Sequence, residues 1–225
     1  MLFRSGYAAF GMAFAADDPL RIVLSDRSAV ADDASWQWDF GDRATSVERS
    51  PAHRYARSST YIVRLTIVSG GETLSSWKKV HVTNEGSGVL AEYFASPELE
   101  DFRGRAITPA IDFEWTAAPF SARWRGRIRP RFSETYHFIV RTNGTARMRI
   151  DGEEVLDEGA ALDGERIGTI DLEAGEDREF VLEYIHPGGP GSLQLLWESE
   201  TQEREVVPPS VLFTPAIGRQ RIVRK

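Results

Sequence analysis

The chain has 225 residues, a formal net charge of −7 and no cysteine, so it is long enough for two ordinary domains and builds neither a disulfide framework nor a thiolate metal site or thiol nucleophile. The charge is uneven: residues 17–83 hold nine acids and nine bases, whereas residues 84–213 hold twenty-five acids against thirteen bases. So acidic a second half repels phosphate backbones and anionic membrane surfaces, which excludes nucleic acid as a natural partner and leaves cations, metal ions or neutral sugars.

In chain order, the first stretch is ambiguous. Arg4 followed by GYAAFGMAFAA has the outline of a weak secretory signal ending in Ala-Phe-Ala, or it is a folded strand. PLRIVLSDRS (19–28) follows, and then WQWDFGD (36–42), where Trp36, Trp38 and Phe40 fall on one face of a strand and Gln37 and Asp39 on the other. Gly41 suits a turn at φ > 0, and the Asp42 carboxylate can accept from nearby backbone N–H groups. In YIVRLTIV (61–68) the inward set is Tyr61, Val63, Leu65 and Ile67, and WKKVHVT (77–83) closes the series. Paired alternating strands of this kind need a sandwich.

These segments, with SPAHRYARSSTYIVRLTIV (50–68), resemble the PKD (polycystic kidney disease) family of immunoglobulin-like β-sandwiches over a whole domain, residues 6–83. Asp42-Arg43 stands where the family has Asp-Gly, and Ser58-Ser59 where it has Pro-Gly. The resemblance implies a spacer or interaction module outside cells, with no catalytic residue. It places Phe10 as the aromatic of the first strand and so favours the folded reading of residues 6–16, with Met1–Ser5 as a by-product of truncation. His53 matches a position that packs and hydrogen-bonds within such folds. Asp39 and Asp42 could ligate calcium, but a turn-capping Asp42 is the plainer reading.

Residues 84–88, Asn-Glu-Gly-Ser-Gly, form a linker, and from Gly88 to Pro215 the chain reads as strands with polar turns. In SETYHFIVRTNGTARMRIDGEEVLDE (133–158), Tyr136, Phe138 and Val140 alternate inward, Thr-Asn-Gly-Thr turns, and Ala146, Met148 and Ile150 return. Phe180, Leu182 and Tyr184, a turn over 187–191, then Leu193, Leu195 and Trp197 repeat the plan, which reads as a β-meander or barrel. The residues AIGRQRIVRK after Pro215 form a basic tail, 216–225.

Six ordered blocks between 88 and 215, among them GVLAEYFAS, RWRGRIRPRFSETYHFIV and RMRIDGEEVLDE, resemble the PA-fourteen family, a larger jelly-roll or barrel-like sandwich. The fold class expected is therefore all-β: two tandem β-sandwich domains. The family resemblance implies carbohydrate binding, with calcium held by two consecutive aspartates at the tip before the Arg-x-x-Ile-Asp-Gly strand. Here Asn143 and Gly144 occupy that place, with Thr145 for a glycine, and an amide plus no side chain cannot replace two carboxylates around a hard cation. No metal and no cofactor are expected.

Asn143, flanked by Thr142 and Thr145, remains the candidate ligand-binding group, because its amide offers both donor and acceptor to vicinal hydroxyls; the plainer reading is a two-residue turn. Trp115 and Trp124 could stack on a sugar ring or belong to the core. The stripe Arg123, Arg125, Arg127, Arg129 and Arg131 could grip a uronic or sulfated glycan, or pair across strands with local acids. The four histidines show no ligand spacing, and no catalytic set is recognisable. The expectation is a non-catalytic, extracellular or cell-surface module that binds a glycan or surface polymer beside catalytic or anchoring domains of a larger protein, with no membrane insertion; the alternative is a spacer or protein-interaction module.

Overall fold

The computed structural model describes residues 6–15, 18–31, 33–157 and 164–215. The expectations for Met1–Ser5 and for the basic tail lie outside them. In the first half, strands β1 (Phe10–Ala15), β2 (Asp18–Asp26) and β5 (Ala52–Arg54) form one antiparallel sheet. Strands β4 (Thr45–Ser46), β3 (Ser35–Asp39), β6 (Ser59–Ser69) and β7 (Glu72–Val82) form the facing one. Their inward residues, Phe10, Met12, Leu20, Ile22, Leu24, Trp38, Val63, Leu65 and Ile67, make one core. The stretch with a signal-like outline is thus a folded strand, and Phe10 meets Trp38 edge-on with ring centroids 5.1 Å apart.

The WQWDFGD turn shows why each residue is there. Gly41 has φ 81° and a Cβ on it would come within 2.8 Å of the Ile62 carbonyl oxygen, so both conformation and contact demand glycine. Arg43 takes φ 77° where the family pattern has glycine, a conformation that costs an L-residue about 1 kcal/mol. Asp42 offsets it by accepting from the Ala44 N–H at 3.0 Å while its other oxygen meets His53 Nε2 at 2.8 Å. His53 lies flat on Phe40 at 4.2 Å, and the Tyr55 hydroxyl donates to the Phe40 carbonyl at 3.0 Å. Asp42 and His53 act as the sequence suggested, by capping and packing.

The second half is a larger sandwich. One sheet runs β14 (Glu153–Leu156), β13 (Thr145–Ile150), β16 (Arg178–His186), β11 (Phe120–Ile128), β8 (Val89–Phe94), β9 (Phe102–Thr108), with β19 (Leu212–Phe213) also on β11. The other runs β10 (Asp112–Ala117), β17 (Gly189–Glu198), β12 (Glu134–Thr142), β15 (Gly164–Leu172), with β18 (Glu205–Val206) on β17. The meander reading is corrected here. Strands β12 and β13 do not pair with each other: β12 bonds to β15 and β17, β13 to β14 and β16, and Thr142 to Thr145 arches between the sheets. The connection from β16 to β17 crosses in the same way. Period-two alternation reports which side chains face the core, and both partners of an arch face the same core as a hairpin would.

The two cores meet. Phe132, in the β11–β12 connection, is 1% exposed and packs inside the first core, its ring 6.1 Å from Phe14. It forms a bridge with Val80, and the His81 N–H donates to the Arg131 carbonyl at 2.6 Å. Lys78 reaches Thr201 Oγ1 at 2.5 Å and Glu134 at 3.4 Å, and Lys79 reaches Glu173 at 3.4 Å. The linker therefore joins two sandwiches that share a packed junction.

Two outcomes follow. Trp38→Ala, which deletes a fully buried indole and its bond to the Glu48 carbonyl at 2.9 Å, lowers stability by about 3–5 kcal/mol in urea unfolding. Burial at the junction depresses the His81 pKa to about 4. As pH falls below 6.5 the unfolded chain takes up a proton that the folded chain refuses, so stability is full above pH 6.5 and drops by about 2 kcal/mol near pH 5. Urea midpoints at pH 7 and pH 5 check this, and His81→Gln should flatten the difference.

Candidate binding cleft in the second sandwich

The edge strand β10 lies against β17 with Trp115 opposite Gly191, and this pairing brings the Pro190–Ser192 segment beside the arch at Asn143. Between them is a cleft of about 490 Å³ lined by Glu114, Trp115, Thr116, Asn143, Pro190, Gly191 and Ser192. Its aromatic residue is packed among other rings. Trp115 stacks on Phe113 at 5.1 Å and on Tyr184 at 5.7 Å, and Phe120 meets it edge-on at 5.4 Å. Trp115 is thus partly core and partly cleft wall, whereas Trp124 is fully buried.

Asn143 is held from both ends of its amide. Nδ2 donates to the Pro190 carbonyl at 2.8 Å, and Oδ1 accepts from the Ser192 N–H at 3.1 Å. Neither Asn143 nor Gly144 adopts positive φ, so the Asn-Gly pair is not the left-handed hairpin turn that its sequence suggests. Glycine is required at 144 for a different reason: a Cβ there would collide with the Ile185 carbonyl and the Tyr184 ring as the arch passes β16. Gly191 is likewise crowded, by the His186 ring. That ring is buried and accounts for both its nitrogens, Nδ1 with the Tyr184 hydroxyl at 3.1 Å and Nε2 with the Gly189 carbonyl at 3.2 Å.

The three residues singled out from sequence do not converge. Thr142 is 3% exposed, donating to the Ser192 carbonyl at 2.8 Å and accepting from the Gly144 N–H at 3.0 Å, so its hydroxyl is committed to the arch. Thr145 faces away, onto a separate cavity of about 330 Å³ bounded by Pro97, Leu99, Arg147 and Glu183. Only Asn143 lines the cleft, in company with Glu114, Thr116 and Ser192, which sequence reasoning missed because their approach depends on the β10–β17 register.

Each arginine of the basic stripe has an acid. Arg123 bonds Glu183 at 2.6 Å, Arg125 bonds Glu92 at 2.8 Å, Arg129 bonds Asp177 at 2.7 Å beside Arg127 on the same carboxylate, and Arg131 bonds Glu205 at 2.8 Å. Glu183 shows the balance: burial alone would raise its pKa, but the guanidinium groups of Arg147 and Arg123 hold it below the usual carboxylate range. Cross-strand pairing, not an open anion site, is what the stripe builds.

Residues 12–83 match the PKD domain family and residues 108–210 the PA14 domain family. The chain is a PKD domain followed by a PA14 domain. Over 138 residues it is 36% identical to the anti-sigma-I factor RsgI3 of Acetivibrio thermocellus, a match that takes in 56% of this chain and 21% of that protein, so the chain spans about a fifth of its relative. An anti-sigma factor domain-containing protein from Clostridium clariflavum has the same fold with a TM-score of 0.56 at 20% identity, over 92% of this chain and 91% of that one. The PA14 domain of the MpAFP antifreeze protein matches with a TM-score of 0.50 at 10% identity, over 56% of this chain and 90% of that domain.

The apex of this PA14 domain does not fit calcium. Asn143 offers one amide oxygen, already bonded to Ser192, and among the described residues Glu114 is the single carboxylate lining the cleft, where the ion takes six to eight oxygens. Among the described residues no group of three or more His, Asp or Glu side chains could hold a metal ion, and no helix is long and apolar enough to cross a membrane. Because both ends of the Asn143 amide brace the Pro190–Ser192 segment, Asn143→Ala should cost about 1–2 kcal/mol, read as a shift in the urea midpoint.

Proposed function

We propose that the PKD–PA14 pair is a non-catalytic, extracellular recognition module of a larger protein and that its PA14 cleft binds a carbohydrate or surface polymer without calcium. One observation carries this reading: the cleft sets a braced aromatic, Trp115, beside a fixed amide and the uncrowded rim groups of Glu114 and Thr116. A pyranose ring presents C–H bonds on one face and hydroxyls at its edge, so it suits a wall with an aromatic on one side and mixed donors and acceptors on the other. The second N–H of the Asn143 amide remains for such a hydroxyl after Pro190 has taken the first. A relative named as an anti-sigma-I factor supports placing such a module in a regulatory protein, where occupancy of the cleft would be the signal.

The second reading is a spacer or protein-interaction module, favoured by how fully the Asn143 amide is used within the fold. Glycan-array binding of the full chain, with and without EDTA, separates the two. Binding that survives chelation and falls about tenfold or more in Glu114→Gln combined with Thr116→Val, both exposed positions, supports the cleft. Loss of all binding in EDTA restores a metal-dependent site, and no binding under either condition leaves the spacer.

A further inference from the structure

The sheet β4-β3-β6-β7 of the PKD domain has a second, outward face, and it carries Trp77 with 61% of its surface exposed. Among the described residues no ring packs on it. Arg64 sits opposite Trp77 on β6, with Asp39 next in the same row on β3. One row along, Ser75, Thr66 and Gln37 line up across the same three strands. Among the described residues the side chains of Trp77, Arg64, Gln37, Thr66 and Ser75 make no hydrogen bond or ion pair. The contrast with the PA14 arginine stripe, where every member is paired, is marked. Beyond this row, at the edge of β3, lies a cavity of about 630 Å³ whose lining includes Ala34 and Trp36 as well as Gln37, Thr66, Val68 and Val47.

We infer that this outward face is a second binding surface, on which a neutral polysaccharide chain lies across the strands with one sugar ring stacked on Trp77 and the chain continuing over Thr66 and Gln37 into the cavity. Same-face diagonal neighbours on adjacent strands are about 7–8 Å apart, so Trp77 and Thr66 are within reach of one extended ligand. The charge argues for neutrality: Asp39 stands against Arg64, and Lys79 is already paired with Glu173 at 3.4 Å. A protein partner would want a continuous apolar patch, whereas here Ile62 and Trp77 are separated from Val68 and Val47 by the polar row. The face also runs on into the domain junction. Lys79 and His81, the next outward residues of β7, abut Glu173 and Gly175 of the PA14 domain, so a chain laid on Trp77 approaches that domain directly.

The ligand class rests on the carbohydrate reading above, but the residues are separate, and the test keeps them apart. The full chain, Trp77→Ala, Trp77→Phe, Gln37→Ala and Trp115→Ala are mixed with insoluble cellulose, chitin and xylan, and the bound fraction and melting temperature are measured. The expected result is that Trp77→Ala weakens binding to the retaining polysaccharide about tenfold at unchanged melting temperature, Gln37→Ala weakens it less, and Trp77→Phe keeps most of it. Loss with Trp77→Ala but not with Trp115→Ala upholds this surface and removes the cleft; loss with Trp115→Ala alone does the reverse. Wild-type binding in Trp77→Ala, retention by none of the three polymers, or a dimer that Trp77→Ala converts to monomer overturns the proposal.

Discussion

The packed junction between the two sandwiches centres on the dipeptide Arg131-Phe132. Successive residues of an extended chain point to opposite sides. Phe132 goes into the PKD core, while Arg131 stays with the PA14 domain, bonding Gln202 and Glu205, and sets its guanidinium carbon 4.0 Å over the ring of Phe14 of the PKD domain. Burying a phenyl ring contributes about 1.5–3 kcal/mol, and a buried guanidinium is tolerated only because Glu205, which also accepts from Trp197 and Gln202, answers its charge. The bridge from Val80 to Phe132, the burial of His81 and the seat of Lys78 follow from that insertion.

Within the PA14 domain the charges are disposed by the same logic of local neutralisation. The acidic excess of the sequence suggests a surface for cations, yet many of the acids are occupied by the stripe that runs along β11 and on to Arg131, and by Arg141, Arg178 and Arg204. Exposed pairs of this type contribute little each, about 0–1 kcal/mol, but they fix strand register and remove the arginines as grips for an anionic ligand. On the proposed reading, recognition falls to the aromatic and amide chemistry at the arch and to the outward face of the PKD sheet.

Much of the fold was legible because core-facing residues recur with period two: Trp38, Leu65 and Ile67 face inward as their spacing says, as do Phe138, Met148, Leu182 and Leu195. Connectivity was not. The Asn143-Gly144 pair reads as a hairpin tip, and the structure uses the glycine for clearance against Tyr184 and the asparagine as a clamp, because the strands on either side belong to different sheets. Local patterns do not carry that information. Nor do they reveal that Glu114 and Ser192 share a cleft, or that the aromatic in PRFSET would fill a core fifty residues upstream, since both depend on pairings distant in the chain.

The Phe132 insertion also changes the mechanical character of the chain. A Gly-Ser linker between domains ordinarily acts as a slack tether whose ends diffuse, so that rotation of one domain is lost before it reaches the next. Here Ser87 and Gly88 are themselves tied by their N–H groups to the Leu212 carbonyl, and the sandwiches meet through a filled core. The pair is a strut: a torque applied to one sandwich is delivered to the other through the junction, without first taking up slack in residues 84–88.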